Sequence, residues 1–218
     1  ITFPKKDLAV KAGEVDSDAA VQDTVYLGAR LSVENPDNIA FRSSFNLETD
    51  RIGAGSAADP VAIACGKNFY DIICNGLTIG NDLSGQYFEL TANINFQMSE
   101  ITTDKGWEPA GRHNINGGPT SFNGILDGNG NAIDLLSSSS TEDYAGLFYK
   151  LGSQAYLHDL KFTSVALIGK DYIGAVACYS EAGARLENIS LAGFVNGTSN
   201  IGGLIGAGDA SIANCVSS

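Results

Sequence analysis

Positive charge is scarce in this sequence. Thirteen Lys and Arg stand against 25 Asp and Glu, a formal net charge of −12. Phosphate backbones and anionic lipids are held by basic faces, so neither nucleic acid nor an anionic membrane is an expected partner. Histidine is nearly absent: His113 and His158 are the two present. Hydrolases built on Ser or Cys need a histidine beside the nucleophile. His113 lies in a Gly/Asn-rich loop (111–118) and His158 within a strand block, and neither has a GxSxG or comparable partner motif. HExxH, GxxxxGK[ST] and CxxC are also missing, which removes the usual signatures of zinc peptidases, nucleotide-phosphate sites and zinc ribbons. No apolar run reaches the roughly 18 residues needed to span a bilayer, so membrane insertion is not expected, and no signal-peptide pattern is visible. The chain opens at Ile1 without Met and stops at Ser217-Ser218 inside a repeat, so it reads as an excised piece, truncated at its C-terminal end, of a longer polypeptide.

What is present points to a folded β protein. Hydrophobic residues make up 44% and mean hydropathy is +0.01, enough for a core. Glycine contributes 26 of 218 residues, which implies many tight turns and argues against long helices. The four cysteines are Cys65, Cys74, Cys178 and Cys215. In an oxidising compartment Cys65 and Cys74 can close a small loop around Phe69-Tyr70-Asp71-Ile72-Ile73, and a Cys65–Cys74 bond is the expectation. The alternative is two buried thiols.

Residues 1–60 read as an N-terminal β cap or small β subdomain. Apolar residues alternate through 25–33 and 39–47, predicting two antiparallel strands joined by the turn Asn35-Pro36-Asp37-Asn38. The second half repeats. Asp143-Tyr144-Ala145-Gly146, Asp171-Tyr172-Ile173-Gly174 and Ser199-Asn200-Ile201-Gly202 recur at a step of 28 residues. Each precedes a second block, beginning at Leu157, Leu186 and Ile212. A fixed period in the twenties with glycine turns predicts a solenoid whose coils bury one another's apolar faces. Stacking predicts interior rows Leu160–Ile189–Cys215 and Phe148–Val176–Leu204, and an Asx turn row Asp159–Asn188–Asn214.

These blocks resemble the GLUG repeat. The nearest copy is Gly203-Leu204-Ile205-Gly206, and Gly146-Leu147-Phe148-Tyr149 and Gly174-Ala175-Val176-Ala177 are similar but lack the final glycine. Asn214-Cys215 is similar to the family's I-x-N-C block. Upstream, residues 85–96, Trp107-Glu108-Pro109-Ala110-Gly111 and residues 122–133 follow the order of the strand and turn motifs that precede such repeats. The resemblance covers about residues 60–218. It implies an all-β fold: a right-handed parallel β-helix over residues 61–218. It also implies a bacterial origin, as in surface adhesins and the non-catalytic regions of IgA-cleaving metallopeptidases, with no catalytic residues to carry over.

Several constellations test that reading. Asp127-Gly128-Asn129-Gly130-Asn131 begins like an EF-hand calcium loop, but Ala132 and Ser138 stand where glycine and glutamate are required. The expectation is a tight turn. A polysaccharide lyase would need a base beside a carboxylate or cation. Lys150, Lys170, Arg185 and Asp171 are candidates, and Asp143 and Asp171 fall on adjacent coils, but Ser199 breaks the carboxylate row. Tyr87, Trp107, Tyr144 and Tyr172 are candidates for stacking on sugars, although the repeat equivalence of Tyr144 and Tyr172 favours packing between coils. Asn188-Ile189-Ser190 and Asn196-Gly197-Thr198 match the N-glycosylation acceptor. The expectation is a non-enzymatic structural or adhesive segment, extracellular or on the cell surface, with no cofactor and with a protein or glycan ligand on another cell. A carbohydrate-active β-helix is the alternative.

Overall fold

The computed structural model describes residues 52–96, 104–139 and 141–218, together with the backbone of four short strands nearer the N-terminus. Thr2–Phe3 pairs with Ser32–Val33, and Asp23–Val25 with Ile39–Phe41, both in parallel. Where antiparallel pairing of 25–33 with 39–47 was expected, Val25 instead lies parallel to Phe41. Alternation reveals a half-buried strand but not the direction of its partner. The turn at 35–38 and most of the expected N-terminal cap lie outside the described residues.

From Val61 onward the chain winds as a parallel β-solenoid, with strands stacked coil on coil in chain order. The first face holds Val61–Ile63, Tyr87–Leu90, Ile125–Asp127, Tyr156–His158, Arg185–Glu187 and Ser211–Ala213. Their register places Val61, Phe88, Leu126, Leu157, Leu186 and Ile212 in one row. All but Ile212 are buried. The second face stacks Ile94–Asn95, Ala132–Asp134, Lys161–Ile168, Ser190–Asn196 and Val216–Ser217, with Ile94, Ile133, Phe162 and Leu191 inside. The third stacks Phe148–Leu151, Ala177–Ser180 and Ile205–Gly208. A corner pair, Asp171–Ile173 with Ser199–Ile201, joins the second and third faces. Period-two alternation shows most plainly on the first face, where Leu126, Leu157 and Leu186 turn in and their strand neighbours turn out.

The expected 28-residue step is present at this corner, where Ala145, Ile173 and Ile201 align. Glycine is required beside it by close approach. A Cβ on Gly146 would lie 2.3 Å from the Gly174 carbonyl oxygen, and one on Gly174 would lie 2.5 Å from the Gly206 nitrogen. The expected row Phe148–Val176–Leu204 is out by one residue: Phe148 pairs with Ala177, and Ala177 with Ile205. One more residue separates Gly174 from its strand than separates Gly146 from Phe148. The other row is as expected. Leu160 and Ile189 are buried and Cys215 packs against the same core. Asp159, Asn188 and Asn214 share a left-handed backbone, φ 53–54°, which Asx residues tolerate better than most. Asn188 Nδ2 donates to Asp159 Oδ1 at 3.0 Å, linking successive turns.

Residues 66–78 depart from the β expectation. They form a helical segment, α-helical over Gly66–Phe69 and Asn75–Thr78 with a π-wound turn, Tyr70–Cys74, between. Phe69, Ile72, Ile73 and Leu77 lie on its buried side. The Phe69 ring sits 5.3 Å from Phe96 and 5.7 Å from Phe148, closing the interior near its N-terminal end. The helix also overturns the expected Cys65–Cys74 bond. All four cysteines are free thiols. Cys65 Sγ instead accepts from the Asn68 amide at the helix start, at 3.4 Å. The helical run from Gly66 to Cys74 carries the two backbones further apart than the roughly 7 Å between Cα atoms that a disulfide spans.

Candidate functional site

The outward side of the third face and its corner gathers four tyrosines. Tyr144 and Tyr172 stack across one coil step with centroids 5.5 Å apart, and Tyr172 stacks on Tyr179 at 4.4 Å. Tyr149 meets Tyr144 edge to face at 5.0 Å and lies 6.2 Å from Tyr179. Packing between coils, expected for Tyr144 and Tyr172, is therefore what the rings do. Tyr149 and Tyr179 were not anticipated. They sit at outward strand positions, and Tyr179 pairs with Lys150 in register.

The backbone under the two stacked tyrosines is unusual for aromatic residues. Tyr144 has φ 75° and Tyr172 φ 59°, while Asn200, at the next coil, has φ 53°. Left-handed backbone costs roughly 1–2 kcal/mol for most residues and is eased by Asn. Tyrosine occupies two of these positions against that preference.

A groove of about 220 Å³ borders Tyr144, lined by Lys105, Glu108, Pro109, Arg112 and Glu142 among others. The Arg112 guanidinium carbon lies 5.5 Å from the Tyr144 ring centre, and its nitrogens lie 3.8 Å from both Glu108 and Glu142. Lys105 Nζ donates to Glu142 at 2.9 Å, which holds the Glu142 carboxyl below its ordinary range and raises the lysine. Burial raises the Tyr144 phenol, and neighbouring Tyr149 adds to the effect. Burial and a hydrogen bond with Tyr172 raise Tyr179 further. These hydroxyls stay neutral at any ordinary pH and act as hydrogen-bonding groups.

The other sequence candidates are dispersed. Trp107 is buried, its Nε1 donating to the Leu147 carbonyl at 3.1 Å, and so cannot stack on a sugar. Tyr87 is half-buried on the first face. Lys150 pairs with Glu181 at 2.6 Å on the third face, Arg185 lies 3.6 Å from Glu187 on the first, and Lys170 lies 4.0 Å from Asp143 at the corner. Asp171 accepts from Ser199 Oγ. Lys170 therefore shares the corner with Asp143 and Asp171, while Lys150 and Arg185 lie on other faces. His113 contacts Glu108 at 3.5 Å. The calcium-like segment is a turn: Asn129 N donates to Asp127 Oδ1 at 2.7 Å, and Asn131 Nδ2 donates to the Leu90 carbonyl. Asn188 belongs to the Asx row, and Asn196 ends a strand of the second face.

Among curated proteins, the chain is 31% identical over 203 residues to halomucin of the archaeon Haloquadratum walsbyi, a match covering 92% of this chain. The chain spans about 2% of the length of that relative. No family model matches the chain. No solved structure matches it.

Proposed function

We propose that this chain is a structural segment of a large extracellular or cell-surface protein, that its coils are GLUG-type repeats, and that its tyrosine face engages a glycan. The observation that carries the reading is the tyrosine cluster beside the Arg112 groove, held outward on a solenoid whose inner rows do nothing but pack. Aromatic rings offer apolar C–H contact, while Arg112, Glu108, Glu142 and Lys105 offer planar and charge-assisted hydrogen bonds of the kind that hydroxyl-rich ligands accept and donate. The opposed charges are paired with one another, which favours a neutral glycan over a polyanion. The similarity to a stretch of halomucin supports placement within a much longer protein outside the cell.

A glycan array probed with the wild-type chain and with Tyr172→Ala and Arg112→Ala tests this. Neutral glycans should be retained by the wild type and lost by both variants. Equal retention by all three, or no retention, would overturn the glycan assignment. Release of unsaturated uronate from an acidic polysaccharide would instead favour the lyase alternative.

A further inference from the structure

We propose that Asp127, His158 and Asp159 form a binding site for a divalent transition-metal ion of the zinc class on the outward side of the first face. The register of the solenoid creates it. His158 pairs with Asp127 on the preceding coil, although the two are 31 residues apart in sequence. Asp159 follows His158 at the left-handed turn that swings its carboxylate back beside the ring.

The three groups converge on one point. His158 Nδ1 lies 2.8 Å from Asp159 Oδ2 and 3.5 Å from Asp127 Oδ1. One ligand atom from each residue lies within 4.8 Å of the other two. Ligands about 2.0–2.1 Å from a zinc ion sit roughly 3 Å from one another, so the two distances to Nδ1 bracket what tetrahedral or octahedral coordination requires. An imidazole nitrogen with two carboxylates is a borderline donor set, suited to zinc, copper or nickel rather than to calcium, which takes six to eight oxygens.

Each ligand is also oriented from outside the set. Asn188 Nδ2 donates to Asp159 Oδ1 at 3.0 Å, leaving Oδ2 for the ion. The Asn129 amide donates to Asp127 Oδ1. The Tyr156 ring lies 4.5 Å from the imidazole, and its own hydroxyl is fixed by Glu187 at 2.7 Å. Such outer contacts fix ring orientation and ligand basicity in metal sites. A surface depression of about 310 Å³ adjoins the two carboxylates and leaves that side of the cluster open to water; Asp127, Asp159, Asn188 and Lys161 are among its lining residues. Binding would tie two successive coils together through their side chains. An ion held at Nδ1 would take the place of any hydrogen on that nitrogen.

The chain has two histidines, which makes the test simple. Zinc chloride is titrated into the full chain while the imidazole proton resonances and the heat of binding are followed. The expected result is one ion per chain, with the His158 resonances shifting and those of His113 unmoved. Affinity should fall at least about tenfold in both His158→Gln and the near-isosteric Asp159→Asn. His113→Gln should bind as the wild type does, and calcium chloride should give no shift. If zinc leaves the His158 resonances in place, or binds His158→Gln and Asp159→Asn as tightly as the wild type, the site does not exist.

Discussion

The first and last coils of this stretch of solenoid differ in what covers their apolar rows. Near the N-terminal end the helical segment lays Phe69, Ile72, Ile73 and Leu77 over the interior, and each is at most 2% exposed. At the other end the final coil carries Ile201, Ile212 and Val216 at 42%, 51% and 66% exposure. Ile212 belongs to the same row as Leu126, Leu157 and Leu186, which are 0–1% exposed. Residue type and inward orientation are shared along that row. What differs is whether another layer lies on top. In a stack of this kind burial is a property of neighbours, so the stability at stake should vary along the axis while the fold remains constant.

The largest effect should come from a charge placed mid-stack. Ile189 is 1% exposed, and Ile189→Asp would bury an unpaired carboxylate at a cost of several kcal/mol, comparable with the whole stability of an ordinary domain. Leu204 lies in the last complete coil and is only partly buried, so Leu204→Asp should lower the denaturant midpoint distinctly less. Equal losses would remove the distinction between interior and end.

The helix sharpens the comparison next. Phe69→Ala should cost about 3–5 kcal/mol, because the ring contacts Phe96, Trp107 and Phe148 and leaves a cavity that rigid strands cannot fill. Loss of far less, by chemical denaturation, would mean that the helix lies on the stack without sealing it.

The smallest effects belong to the outward rows. The hydrogen bond from Lys150 depresses the Glu181 carboxyl below its usual 4.5. A depressed carboxyl contributes stability that is present above its unfolded value and lost as pH falls through its folded value. Wild type should therefore lose slightly more stability than Glu181→Gln between roughly pH 5 and pH 2, read as thermal midpoints. Reversal of the exposed Lys170, as Lys170→Glu, should stay within about 0.5 kcal/mol of wild type. A loss matching that of Ile189→Asp would mean that inside and outside have been exchanged.

The period was legible because the stack imposes it on residues that cannot vary freely: glycines pressed against the next coil, and Asx residues at left-handed turns. The error of one residue at Phe148 arose because an extra corner residue changes register without changing composition. The helix was legible and passed over. Its apolar residues at 69, 72, 73 and 77 follow helical spacing, but the abundance of glycine elsewhere argues against a helical protein and this segment is short. The same segment lies between Cys65 and Cys74 and holds the two thiols apart. Asp127 meets His158 through pairing between coils, which becomes visible once Leu126, Leu157 and Leu186 are aligned; Tyr149 and Tyr179 come from adjacent strands one residue out of register, so no alignment of like residues reveals them.

The register itself is most directly tested by distance. Tyr87, Ile125, Tyr156, Arg185 and Ser211 occupy equivalent outward positions on five successive strands of the first face. Neighbouring strands lie about 4.8 Å apart, so the backbones at Tyr87 and Ser211 should be about 19 Å apart, and those at Tyr87 and Arg185 about 14 Å. Spin labels at these positions, measured by pulsed electron resonance, should give distances that grow evenly with each strand crossed. Distances that do not rise in that order would contradict the solenoid register.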